Sequence, residues 1–219
     1  MNRKRIAGGI LCLVFVFTLW TGKTAVAAGQ KTESIAATSS DMTYDTYLTK
    51  FGDASRPQTL VKIGKEQLDQ DASSILSLTE TGVMTGEADT AVFRFSVTET
   101  GLYALKLRYT TVEGKSTGIQ RGLLLDGKVP YAEAGTVTLN RVFRDSSTEK
   151  ATDSRGNEYT PEQEEVLGTY EQVVYDAQGY IETPLLFYLS AGEHTISLIS
   201  QREPVILEEL LFFNDEAVI

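Results

Sequence analysis

Between Thr59 and Phe213 the chain falls into about ten short β-rich segments separated by glycine-bearing turns. They are TLVKI (59–63), SILSL (74–78), AVFRFSV (91–97), LYALKLRYT (102–110), RGLLLD (121–126), TVTLNRV (136–142), YEQVVYD (170–176), TPLLFYL (183–189), HTISLIS (194–200) and VILEELLFF (205–213). Several alternate with period two: Phe93, Phe95 and Val97 are interleaved with Arg94 and Ser96, and Ile196 and Leu198 flank Ser197. That spacing puts one set on each face of a strand. ETG (99–101), DGK (126–128) and SAG (190–192) supply turns. Many short strands with almost no helix predict an all-β, antiparallel two-sheet β-sandwich of jelly-roll type over residues 57–213. Its core is expected to hold Phe93, Phe95, Leu105, Leu107, Leu124, Phe187, Ile196, Leu198 and Leu210.

The ends of the chain read differently. Arg3, Lys4 and Arg5 precede an apolar run, Ile6 to Trp20, which is followed by Ala25-Val26-Ala27. This is the charge, length and small-residue order of a secretory signal peptide over 1–27, too short to span a bilayer as a helix. A retained anchor is the alternative reading. A lipoprotein reading of Cys12 is disfavoured because Leu11 stands where a small residue is needed. Cleavage removes the one Cys and the one Trp, so a secreted or cell-surface, bacterial chain held by its core is expected, with no stable membrane insertion. Residues 28–41 are rich in Ser, Thr and Ala and read as a flexible linker, and 214–219 as a C-terminal tail.

Two stretches depart from the strand rhythm. Tyr44, Tyr47, Leu48 and Phe51 follow helical spacing, predicting a short amphipathic helix within 42–56, with Ser40 or Asp41 as N-cap and Gly52 as terminator. Residues 144–169 are polar, carry turn signals at Gly156-Asn157 and Pro161, and read as one long loop, of the kind that is functional or mobile.

Charge narrows the partners. Residues 28–219 hold 16 basic against 30 acidic groups, a surface that repels phosphate backbones, so no nucleic acid partner is expected. Catalytic patterns are weak. His194, the single histidine, is in phase with Ile196 and Leu198 and is best explained as hydrogen-bonding a neighbouring loop. Glu162, Glu164 and Glu165 form a charge run, and Glu208-Glu209 is an adjacent pair on opposite strand faces, neither being a convergent acid/base pair. No phosphate-cradling glycine motif occurs outside the leader. The chain is therefore expected not to be an enzyme. Binding is better motivated: sugars are held by aromatic faces with forked polar groups, and Tyr131, Tyr159 and Tyr180 accompany Arg121, Arg144, Arg155, Asn157 and Arg202.

The runs Gly101-Leu102-Tyr103-Ala104-Leu105-Lys106-Leu107-Arg108-Tyr109, Arg121 to Gly127, and Tyr188-Leu-Ser-Ala-Gly192-Glu-His194-Thr-Ile196-Ser-Leu198 resemble the strand–turn–strand pattern of galactose-binding-like jelly rolls, such as carbohydrate-binding modules. Tyr44-Asp-Thr-Tyr-Leu48, Val112 to Ser116, Arg155-Gly156-Asn157, Gly179-Tyr180 and Arg202-Glu203-Pro204 resemble the N-terminal sandwich of large extracellular solute-binding proteins of ABC transporters in Gram-positive bacteria. The resemblance implies a non-catalytic surface module of a sugar-uptake system. Its partners would be an oligosaccharide or sugar and a solute-binding domain or ABC transporter permease. A structural docking domain that packs on a solute-binding partner without binding sugar is the alternative. Many modules of this shape carry paired acidic residues on the first strand for structural calcium. Here that strand reads Val61-Lys62-Ile63-Gly64-Lys65-Glu66, so no cofactor is expected and calcium is in question.

A recognition surface, if present, is expected where the 112–121 and 144–169 loops meet the Arg202-Glu203-Pro204 turn. Its candidates are Glu113, Arg121, Tyr131, Arg144, Arg155, Asn157, Tyr159, Arg202 and Glu203. The competing expectation is that these arginines pair internally with Glu113, Asp145 and Glu203 and pin the long loop.

Overall fold

The computed structural model describes residues 40–115, 117–147, 151–152 and 154–214. The expected signal peptide, residues 28–39 of the linker and residues 215–219 lie outside them. Among the described residues no helix is long and apolar enough to cross a membrane.

The helix forms where its spacing demands, α1 at Tyr44–Phe51, closed by Gly52. Its N-cap is Thr43, whose Oγ1 accepts from Thr46 N at 3.4 Å, and not Ser40 or Asp41. The Ser40 hydroxyl instead accepts from Met42 N at 3.2 Å, before the helix begins.

The strands are β1 (Val61–Ile63), β2 (Ser77–Leu78), β3 (Val83–Thr85), β4 (Thr90–Val97), β5 (Gly101–Thr111), β6 (Ile119–Leu125), β7 (Val137–Leu139), β8 (Val142–Asp145), β9 (Ala151–Thr152), β10 (Glu158–Tyr159), β11 (Gln163–Val166), β12 (Thr169–Val173), β13 (Leu186–Leu189), β14 (Gly192–Arg202) and β15 (Val205–Phe213). A seven-stranded sheet has the order β12-β5-β15-β3-β2, with β13 continuing along β5 and β1 along β15. A four-stranded sheet has the order β4-β14-β6-β7, and every named pair is antiparallel. The fold is the expected all-β, antiparallel two-sheet sandwich of jelly-roll type with one short helix.

One hydrophobic cluster fills the space between the sheets, with Phe95 of β4 stacked on Phe212 of β15 at 5.4 Å between ring centroids. Eight of the nine expected core residues belong to it. Leu124 is buried outside it, because β6 turns Ile119, Leu123 and Leu125 inward and Leu124 to the opposite face.

The helix seals an edge of the larger sheet. Leu186 N donates to the Tyr44 hydroxyl at 3.0 Å and Tyr188 N to the Tyr47 hydroxyl at 2.5 Å, satisfying two outward N–H groups of edge strand β13. Tyr131 sits against both rings, with centroids 4.9 and 4.8 Å away, and its hydroxyl donates to the Leu186 carbonyl at 3.0 Å. Burial pushes the Tyr47 phenol up to about 12 and raises that of Tyr131 as well.

Within the expected 144–169 loop, of which residues 148–150 and 153 lie outside the described residues, the described strands form a ribbon. Strands β8 and β11 pair from Val142↔Val166 to Asp145↔Gln163, and β9 pairs with β10 farther out. Period-two alternation fails to reveal it because both of its faces meet water, so its pairing rests on backbone bonds and not on an apolar side.

Candidate functional site

The expected recognition corner is where the chain twice crosses between sheets: β5 to β6 through residues 112–118, and β14 to β15 through Glu203-Pro204. Along β6 the inward phase of Ile119, Leu123 and Leu125 includes Arg121, so its guanidinium enters the end of the sandwich and is fully buried. Nη1 donates to the Gln120 and Arg202 carbonyls at 2.8 and 2.9 Å. Nη2 donates to Thr85 Oγ1 and the Glu203 carbonyl, both at 2.9 Å, while Nε has no partner among the described residues. Burial lowers the Arg121 guanidinium to about 10, which leaves it charged at neutral pH.

Glu203 takes a left-handed backbone, φ 62°, which costs a non-glycine residue about 1 kcal/mol. Its carboxylate offsets that cost. Oε2 accepts from Lys115 N at 2.8 Å and Arg141 Nη2 at 3.2 Å, and Oε1 accepts from the Thr117 hydroxyl at 2.8 Å. Burial pushes this carboxyl up, but the Thr117 and Lys115 hydrogen bonds and the Arg141 charge outweigh it and hold the group below its ordinary range. Arg141 also donates to the Thr117 and Val112 carbonyls at 3.0 and 2.9 Å and pairs with Glu165 at the ribbon base. Arg141 thus joins the turn, the 112–118 loop and the ribbon.

Arg141 was not among the sequence candidates; it is the penultimate residue of the apparent strand TVTLNRV, and nothing local distinguishes it from Arg144. Internal pairing does pin the corner, but through other partners than Glu113 and Asp145. Glu203 engages Arg141, Arg121 engages carbonyls, and Arg144 meets Glu164 at 3.5 Å on the exposed ribbon.

Arg202 has the opposite fate. Ile196, Leu198 and Ser200 of β14 are buried, and a register shift between Ser200 and Arg202 breaks that alternation, leaving Arg202 exposed. Its guanidinium has no hydrogen bond or ion pair to a described residue and lines a groove of ≈ 290 Å³ with Glu87, Lys115, Thr117 and Gln201. Lys115 Nζ is bound to Glu87 at 2.5 Å across it. Glu113 is exposed on the adjoining loop. Arg155, Asn157 and Tyr159 are exposed on the outer ribbon, and Tyr159 is 56% exposed. Tyr131 is fully buried in the helix-docking cluster and offers no free ring face, since its aromatic body is worth more packed than solvated.

The structure also places His194 and the segment after the first strand. His194 Nδ1 lies 2.7 Å from Asp126 Oδ2 and Nε2 lies 2.8 Å from the Ser190 carbonyl, so the imidazole bridges two turns. After the first strand, Lys65 Nζ donates to the carbonyls of Thr79 (3.2 Å) and Glu80, placing a fixed ammonium there. Among the described residues no group of three or more His, Cys, Asp or Glu could hold a metal ion.

No protein-family model matches the chain, and no curated protein does. Solved structures do. A family 35 carbohydrate-binding module from Clostridium thermocellum is 12% identical, with 72% of this chain and 99% of that one covered and a TM-score of 0.39. A family 36 module of a multidomain xylanase from the hindgut metagenome of Trinervitermes trinervoides is also 12% identical, with 72% and 98% covered and a TM-score of 0.39. The β-(1,4)-mannanase of Podospora anserina that carries a family 35 module is 13% identical, with a TM-score of 0.43 over 73% of this chain. This chain spans 28% of the mannanase.

Proposed function

We propose that the chain is a non-catalytic, extracytoplasmic carbohydrate-binding module working with an ABC-type sugar-uptake system. The observation that carries the reading is the Arg202 groove. A forked donor stands free at its rim, beside the Lys115–Glu87 pair and the Gln201 amide, over a loop locked by Glu203 and Arg141. Forked donors match vicinal hydroxyls or a carboxylate, and a groove whose walls are fixed beforehand loses little freedom on binding. The family 35 and 36 modules above are carbohydrate-binding by description, and the proposal gives this chain the same class of ligand. The association with uptake draws on the likeness of Tyr44 to Leu48 and Arg202 to Pro204 to sandwiches preceding solute-binding domains.

Calorimetric titration with neutral hexaoses and with trigalacturonate, with and without calcium, tests the reading. Arg202→Ala should weaken binding of trigalacturonate by about tenfold with an unchanged melting temperature. Trigalacturonate affinity within twofold of the parent chain, or no binding of any sugar at millimolar concentration, would refute it.

A second reading, docking against a solute-binding partner, is favoured by Val142, Phe143 and Leu167, apolar side chains left exposed at the ribbon base. Sedimentation with the solute-binding domain, comparing the chain with a Phe143→Ser variant, tests it: a complex lost in the variant supports docking.

A further inference from the structure

We propose that the pocket between α1, the Ala132–Gly135 turn and the Asp176–Tyr180 turn is a second carbohydrate subsite, in which a neutral pyranose lies against the Tyr180 ring. The site is separate from the Arg202 groove and shares no lining residue with it.

Tyr180 is 84% exposed, against 56% for Tyr159. Its position is not that of a loose side chain on a loose loop. Asp176, itself 8% exposed, accepts from Gln178 N at 3.1 Å on Oδ1 and from Tyr180 N at 2.8 Å on Oδ2. Gly179, at φ 76°, completes the turn with its N–H on the Asp176 carbonyl at 3.1 Å. The backbone is thus fixed while the ring faces water, which is the arrangement that lets an aromatic face receive an apolar C–H surface at small entropic cost.

The pocket beside the ring has a volume of ≈ 310 Å³, within the range of small-molecule sites. Its polar groups suit hydroxyls. The Asp45 carboxylate and the Gln178 amide make no hydrogen bond to a described residue. Glu133 uses Oε2 to accept from Tyr44 N at 2.9 Å, and its Oε1 has no such bond. Together they offer acceptors and an amide donor around one ring face, the complement of a polyol. No Lys or Arg lines the pocket, while Asp45, Glu133 and Asp176 do, so a uronate is repelled where a neutral sugar is not.

The test titrates the chain with cellohexaose, xylohexaose and mannohexaose by calorimetry, with trigalacturonate as competitor, in three variants. Tyr180→Ala should weaken binding of at least one hexaose by roughly tenfold, and Gln178→Ala by a smaller factor, with melting temperatures unchanged. Trigalacturonate should not displace the hexaose. The proposal is overturned if Tyr180→Ala stays within twofold of the parent, if trigalacturonate competes equally, or if no hexaose binds at millimolar concentration. Hexaose binding lost in Arg202→Ala alone would remove this subsite and leave the groove reading standing; hexaose binding lost in Tyr180→Ala alone supports this subsite, and the groove reading then stands or falls on trigalacturonate.

Discussion

Arg141 and Arg144 stand three residues apart, and each faces one of two adjacent glutamates. Arg141 pairs with Glu165 at 1% and 12% side-chain exposure, whereas Arg144 meets Glu164 at 3.5 Å with exposures of 71% and 55%. The first pair lies in the corner that ties two sheet crossovers together and shares Arg141 with Glu203. The second decorates a ribbon wetted on both sides. Identical chemistry therefore serves as scaffold in one place and as solvated surface in the other. The difference lies in desolvation: a buried charge must keep every partner, while an exposed one exchanges its partner for water at almost no cost.

The largest expected effect comes from breaking the corner. Glu203→Ala leaves the buried Arg141 one carboxylate, Glu165, beside the Thr117 and Val112 carbonyls, and frees the Lys115 N–H and the Thr117 hydroxyl. It should cost about 3–5 kcal/mol and lower the melting temperature by about 10 °C. A loss under about 1 kcal/mol in a calorimetric melt would break the comparison. Coupling should come next. Arg141→Ala combined with Glu203→Ala should cost less than the sum of the single changes by about 1–3 kcal/mol, while Arg144→Ala with Glu164→Ala should be additive within about 0.5 kcal/mol.

A pH titration sharpens the same contrast. The folded Glu203 carboxyl lies below its ordinary value of 4.5, so its contribution is fully present above that pH and is lost as pH falls through the folded value. Urea melts between pH 6 and 3 should show the parent chain losing more stability on acidification than Glu203→Gln. Equal losses would remove Glu203 as the cause. The smallest effect is expected for Arg144→Ala, within about 0.5 kcal/mol of the parent at any salt concentration.

Alternation and helical spacing made most of the sandwich legible, because burial of one strand face is a local, period-two property. Phe93, Phe95, Ile196 and Leu198 could be assigned inward from neighbours one and two residues away, and Tyr44, Tyr47, Leu48 and Phe51 announced their helix in the same way. His194 was legible too, being in phase with a buried row and beside two turns. The ribbon was not, since strands with water on both faces leave no apolar period.

The candidate site was legible as a place more than as a set of roles. Arg121, Arg202 and Glu203 do meet at one corner, yet the two arginines point in opposite senses. Arg121 follows the inward phase of β6 into the sandwich, and Arg202 is turned out by a bulge one residue before the crossover. Tyr131 was buried by a helix whose residues lie eighty or more positions earlier in the chain, and Arg141 was selected over Arg144 by a carboxylate 62 residues away. Local pattern sets which face of a strand is dry. Whether a charged or aromatic side chain becomes scaffold or surface depends on which distant segment crosses over it, because only that crossing removes its water and supplies its partners.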